Sequence, residues 1–101
     1  TNTASDERLK TSILPLSYGL DEVMRMIPVK FKWKDSTKMG SQKEIGLLAQ
    51  EIHQIVPEVV GYNNDGMMSL DYPKLIAVLI NAIKELKGEI DELSRRRDAG
   101  I

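Results

Sequence analysis

No cysteine occurs in the 101 residues, which excludes disulfides and thiolate metal sites. A single histidine, His53, leaves a histidine-based metal cage without ligands, so neither a metal nor a cofactor is expected. No apolar run approaches the roughly 18 residues that a membrane span needs. The N-terminus is polar and lacks the apolar h-region of a signal peptide. An excess of one charge is missing too. Lys and Arg number 14 against 15 Asp and Glu, for a net charge of -1. That balance argues against a dedicated nucleic-acid or membrane-surface protein. The length suits one domain, and a domain this small buries a limited fraction of its surface, so oligomerisation would help it. The sequence opens without Met and reads as a fragment or a processed product.

What is present is organised by its prolines. Residues 6 to 12 predict a short helical turn or a strand, and Pro15 interrupts the chain next. Leu20, Val23, Met24 and Ile27 fall on one helical face, stopped by Pro28. VKFKWK alternates strictly, with Val29, Phe31 and Trp33 on one side and Lys30, Lys32 and Lys34 on the other, which predicts a half-buried strand. Residues 35 to 43 are polar and read as a loop. Ile45 to Leu48 predict a buried strand or the start of a helix. Leu48, Ile52, Ile55 and Val56 form a helical face that ends at Pro57. Val59 and Val60 suggest a short strand, and NNDG at 63 to 66 predicts a hairpin with MMSLDY.

The C-terminal segment carries the strongest pattern. Ile76, Leu79, Ile83, Leu86, Ile90 and Leu93 alternate in steps of three and four, a heptad a/d seam. Before Lys84 the apolar face is wider, with Leu75, Val78, Ile80 and Ala82 added, so this half is expected to pack on its own domain. The later half needs a partner helix, because an exposed Leu/Ile seam has nothing else to bury against. Arg95, Arg96 and Arg97 end the seam in solvent and suit the helix dipole. A homo-oligomer follows. Ile at a with Leu at d leans toward two strands, a preference the globular part can override over so short a seam.

Each candidate site has a plainer role beside its functional one. The lysine stripe could face nucleic acid, but Lys is also the ordinary device for an edge strand, and the aromatics fall on the opposite face. His53 lies with Gln50 and Gln54 on a polar helix face. Asp71 fits the N-cap region of the last helix, with Pro73 at an early helical position. SDERLK, Ser5 to Lys10, has two readings. Ser5 can cap a helix whose first turn carries Asp6 and Glu7. Alternatively Ser5 is a nucleophile and Lys10 its base. A lysine acts so only when uncharged, and burial or a neighbouring cation such as Arg8 favours that state.

SDERLK, PVKFKWK, IGLLAQEIHQIVPEVV and SLDYPKLIAVLINAIKELK, in this order, resemble the intramolecular chaperone domain of phage tailspikes and tail fibres, the peptidase S74 family. The resemblance covers roughly residues 5 to 93. It implies a C-terminal domain that forms a homotrimer, aligns the upstream fibre of the same chain for folding, and then releases itself by autoproteolysis with a Ser–Lys dyad. Carried over by motif, Ser5 is the nucleophile and Lys10 the general base. Cleavage falls beside Ser5, at Ala4–Ser5 by preference or at Ser5–Asp6. Glu7 and Arg8 take positioning roles.

The expected fold is α+β, a small sheet of short strands packed with helices and a long C-terminal helix in a trimeric coiled-coil bundle. Residues 1–5 are the lead-in and cleavage junction, 6–74 the chaperone core and 75–97 the oligomerisation helix. Nucleic acid and membrane are not expected partners. The implied parent belongs to the virion tail, made in the host cytoplasm, with this domain released after cleavage. The competing readings are a trimerisation module without proteolysis and a nucleic-acid-binding dimer using Lys30, Lys32 and Lys34. Residues five apart do not share a helix face, so the dyad needs a non-helical local path or a Lys10 from a neighbouring chain.

Overall fold

The computed structural model describes residues 2–100. The fold is α+β, with two separate two-stranded antiparallel ribbons and a long C-terminal helix. An extended N-terminal arm leads to helix α1, Leu20–Arg25. Strand β1, Val29–Phe31, pairs with β2, Glu44–Gly46, so that Val29 faces Gly46 and Phe31 faces Glu44. Between them lies a single turn of helix, α2, Ser36–Met39. Helix α3, Ala49–His53, leads through a short 3-10 turn, Pro57–Val59, into β3, Val60–Tyr62. β3 pairs with β4, Met68–Leu70, and a 3-10 turn at Tyr72–Lys74 opens helix α4, Leu75–Ala99.

Several local expectations change. VKFKWK is strand only as far as Phe31. Trp33 lies beyond the ladder and meets the Phe31 ring edge-on at 5.1 Å. The polar stretch after Lys34 is not all loop, because the Asp35 carboxylate accepts the amides of Thr37 and Lys38 and so caps α2. Ile45 is in a strand but not a buried one. Its side chain is 82% exposed, since the ribbon is covered on one side only. Met24 and Ile27 are likewise exposed, and only the Leu20 and Val23 side of α1 turns inward. The NNDG hairpin forms as expected. Gly66 takes φ +82°, a left-handed conformation natural to glycine, and Asn63 donates to the Met67 carbonyl at 2.7 Å.

The core is small. Ile52, Ile55 and Val56 from α3 and its C-terminal flank, Val59, and Leu75, Val78 and Ala82 from α4 are buried. Tyr18, Val23, Met26, Leu47, Val60 and Leu70 pack around most of this cluster. A two-stranded ribbon is marginal alone in water and needs support from a helix. α3 supports β3 and β4. The first ribbon is tied to the base of α4 by Tyr72, whose hydroxyl accepts the Leu47 amide at 3.0 Å. Gly46 makes room for this, since a Cβ there would lie 2.7 Å from the Tyr72 hydroxyl.

α1 packs along α4, and the contact is fixed by polar groups at its start. Glu85 of α4 accepts the Leu20 amide at 3.3 Å, its carboxylate lying where a Cβ on Gly19 would stand. Glu22 accepts the Gly19 amide at 2.7 Å. Asn81 donates from Nδ2 to the carbonyls of both Leu16 and Tyr18, each at 2.9 Å. The Tyr18 hydroxyl in turn donates to the Glu58 carboxylate at 2.8 Å.

The chain is elongated, with extents of 63 × 38 × 26 Å and a radius of gyration of 18.4 Å. A compact domain of this length has a radius near ~13 Å. Two features account for the difference. The arm before Leu16 leaves Leu9, Ile13 and Leu14 exposed, and α4 runs past the core with its seam uncovered.

Candidate functional site

Ser5 and Lys10 meet. The Lys10 ammonium donates from Nζ to Ser5 Oγ at 2.9 Å, within one chain. The path that joins them is not α-helical. Glu7–Leu9 form one 3-10 turn, closed by the Leu9 amide on the Asp6 carbonyl and the Lys10 amide on the Glu7 carbonyl, each at 3.0 Å. Asp6 and Lys10, on either side, are extended. A tight turn flanked by extended residues brings together side chains five apart that a regular helix would separate.

Asp6, not Ser5, caps this turn. Its carboxylate accepts the Arg8 amide at 2.9 Å, which leaves the Ser5 hydroxyl to Lys10. The same carboxylate holds the Arg8 guanidinium through Nε at 3.1 Å and Nη2 at 2.8 Å. This fork keeps the Asp6 carboxyl below its ordinary range and raises the Arg8 guanidinium further above its own. Arg8 is therefore neutralised by Asp6 and is not the free cation expected to act on Lys10. Glu7 is exposed on the turn, and Ala4 lies exposed in the strand-free stretch before it. Just beyond, Ser12 adopts φ +53°, unusual for a side-chain-bearing residue, and redirects the arm after Lys10.

The whole constellation stands in solvent. In the geometry observed the lysine is the donor. For base chemistry the bond must reverse, with a neutral amine accepting the Oγ–H proton. The residues for that exchange are in contact already.

The other expected surface is the seam. Ile76, Leu79, Ile83, Leu86, Ile90 and Leu93 are between 45% and 66% exposed, whereas Leu75, Val78 and Ala82 on the adjacent face are buried. One helix thus carries two apolar faces, and only one is covered by its own domain. Ile80, expected to pack on the core, is 53% exposed and flanks the seam instead.

The remaining candidates take structural or solvated places. His53, Gln50 and Gln54 are exposed, as are Lys30, Lys32 and Lys34. Asp71 pairs loosely with Lys74 at 3.8 Å at the start of the last helix. No cluster of His, Cys, Asp or Glu among the described residues could hold a metal ion. No described helix is long and apolar enough to cross a membrane. Sequence reasoning missed Asn81, Tyr18 and Glu85, which position the arm and α1. Asn81 was visible as an amide set between the apolar Ile80 and Ala82.

Comparison with known proteins places the chain in a family. The family described as chaperone of endosialidase, peptidase S74, matches residues 5–61, beginning at the serine of the contact. The long tail fibre protein Gp37 of Enterobacteria phage M1 is 32% identical over 95 residues, which is 88% of this chain and 38% of that protein. Gp37 of Enterobacteria phage K3 is 28% identical over 97 residues, covering 91% of this chain and 8% of the relative. The chain therefore spans well under half the length of these relatives.

Proposed function

Because this chain belongs to the chaperone-of-endosialidase family, we propose that it is the C-terminal assembly domain of a phage tail fibre and that it cuts itself away at Ser5. The observation that carries the proteolytic part is the 2.9 Å contact between Lys10 Nζ and Ser5 Oγ.

In this reading a neutral Lys10 amine takes the proton from Ser5 Oγ. The oxygen attacks the carbonyl carbon of Ala4 through a five-membered ring. The C–N bond to Ser5 breaks, the Ser5 nitrogen takes the proton from Lys10, and Ala4 is left as an ester on Oγ. Water then hydrolyses that ester. The Ala4 carboxylate is released upstream, and the released domain begins at Ser5. Attack on Ser5's own carbonyl would need a strained four-membered ring, which favours the Ala4–Ser5 bond over Ser5–Asp6. Asp6 and Arg8 hold the turn, and Glu7 completes it.

The assembly part rests on the uncovered seam. Ile76, Leu79, Ile83, Leu86, Ile90 and Leu93 bury against the same residues of two further copies, in a parallel homotrimer. Residues 1–5 form the junction, 6–74 the core and 75–97 the oligomerisation helix. Threading several chains together costs alignment entropy, and a trimerising end lowers it by raising the effective concentration of the others. The fibre upstream is the partner in folding and remains in the virion tail. The cut removes the route back, so the product persists kinetically. Burial is what drives a lysine to give up its proton. The dyad is solvent-exposed in the single chain, so assembly is the event that can supply that burial.

The test is a mass spectrum of this chain with its natural upstream segment, as wild type, Ser5→Ala and Lys10→Ala. A fragment beginning at Ser5 from the wild type alone is the expected result. Intact chains in all three, with a trimer by light scattering, would leave an assembly clamp without proteolysis.

A further inference from the structure

On α4, residues advance about 100° around the axis per position. With Ile76 at a and Leu79 at d, Ile80 falls at e, and Leu75 and Ala82 fall at g. The two flanks of the seam are therefore different. On the e side Ile80 projects, 53% exposed. On the g side there is a groove of about 230 Å³. It is lined by Val23 of α1, Met26 just after that helix, Pro28, Leu47, and Leu75, Val78 and Leu79 of α4.

Projection and groove lie at the same height on the helix, and Leu79 belongs to both groove and seam. Further along, the flanks carry opposite charge, Lys87 at e and Glu89 at g. In a parallel bundle, g of one heptad meets e of the next heptad on the neighbouring helix. That relation pairs Leu75 of one copy with Ile80 of the next.

Resting on the trimer reading above, we infer that Ile80 of each copy inserts into the groove between α1 and α4 of the neighbouring copy. The groove's occupant is thus a second copy of this chain. The contact is heterologous, and repeated around the bundle it closes a ring. It also fixes register. A slip by one heptad would place Lys87 or Pro73 at the mouth of an apolar groove. The seam alone, repeating Ile and Leu at every heptad, does not distinguish these registers.

The chain has no native cysteine, so introduced thiols report without background. Ile80→Cys with Met26→Cys, treated with a short bifunctional maleimide, is the informative pair. Leu86→Cys serves as a separate reporter of the seam. The expected result on a denaturing gel is covalent dimers and trimers from the Ile80/Met26 pair and covalent dimers from Leu86→Cys, whose single thiol per chain can join only two chains, with no crosslinking from Met26→Cys alone. Crosslinking through Leu86→Cys without any between Ile80→Cys and Met26→Cys would overturn the groove contact and leave the bundle standing. Failure of both would overturn the bundle and the groove contact together. As a second readout, Ile80→Asp is expected to raise the concentration for half-assembly at least tenfold, with Ile80→Leu close to wild type. An Ile80→Asp chain that assembles as wild type would sink the inference.

Discussion

Lys10 donates to Ser5 across a turn whose N-terminal cap is Asp6, the residue next to the serine. Asp6 closes the turn, and its carboxylate also anchors Arg8. The geometry of the pair is thus set by the residue between them, and Asp6 variants should separate its two tasks.

Asn caps nearly as well as Asp, but it does not carry the charge that holds Arg8. Ala does neither. Self-cleavage should therefore fall in the order wild type, Asp6→Asn, Asp6→Ala. The last should lose about 10- to 100-fold, the scale set by small misplacements of reacting groups. Rates from the appearance of the released fragment check this, with circular dichroism to confirm that the rest stays folded.

The same carboxylate gives the turn an acid limit. Its pKa is held below the ordinary value of 3.8, chiefly by the Arg8 side chain and then by the Arg8 amide. A lowered value in the folded state means that stabilisation is present above the unfolded pKa and lost as pH falls through the folded one. The turn should stay closed at mildly acid pH and open only below about 3.8. Amide chemical shifts of Arg8 and Lys10 followed by NMR report this directly.

Tyr18 gives a limit at the other end. Its hydroxyl is raised above 10.0, first by the hydrogen bond to Glu58 and then by burial. A raised value favours the protonated, hydrogen-bonded state. Its stabilisation is full below about pH 10 and is lost as pH rises through the folded value. Thermal midpoints of wild type and Tyr18→Phe should differ at neutral pH and converge under strong alkali.

Gly46 and Tyr72 are predicted to be coupled. Gly46→Ala drives a Cβ to 2.7 Å from the Tyr72 hydroxyl and should cost about 1–3 kcal/mol. Tyr72→Phe removes the acceptor of the Leu47 amide and should cost about 1 kcal/mol. Removing the hydroxyl also removes the clash, so the double variant should be more stable than the sum implies. Denaturant unfolding of the four proteins gives the cycle.

Two isoleucines set the range of apolar substitutions. Ile52 is 1% exposed at the centre of the core, and Ile52→Ala should cost about 2–5 kcal/mol. That is a large share of the stability of so small a domain. Ile45→Ala, on the open side of its ribbon, should stay within about 0.5 kcal/mol. Thermal denaturation distinguishes them.

The long helix was legible in the sequence because its periodicity repeats over many residues, and random errors at single positions do not disturb it. The NNDG turn was legible because one glycine conformation dictates it. Elements of three or four residues were not. Ser36–Met39 look like a loop until the Asp35 carboxylate is seen closing them into a helical turn. Ile45 has the composition of a buried residue, but the fold places nothing over it. The direct contact of Ser5 with Lys10 also lay beyond periodicity, since it depends on the dihedral angles of a single 3-10 turn. Ile80 reads as a core residue because apolar breadth on a helix does not say which neighbour covers it.

Asn81 holds the carbonyls of Leu16 and Tyr18 with one amide group. Mechanically this is a cleat. Tension applied at the N-terminal end reaches α4 at Asn81 and is taken along the helix axis. The longest helix of the fold is then also the spar that bears the load.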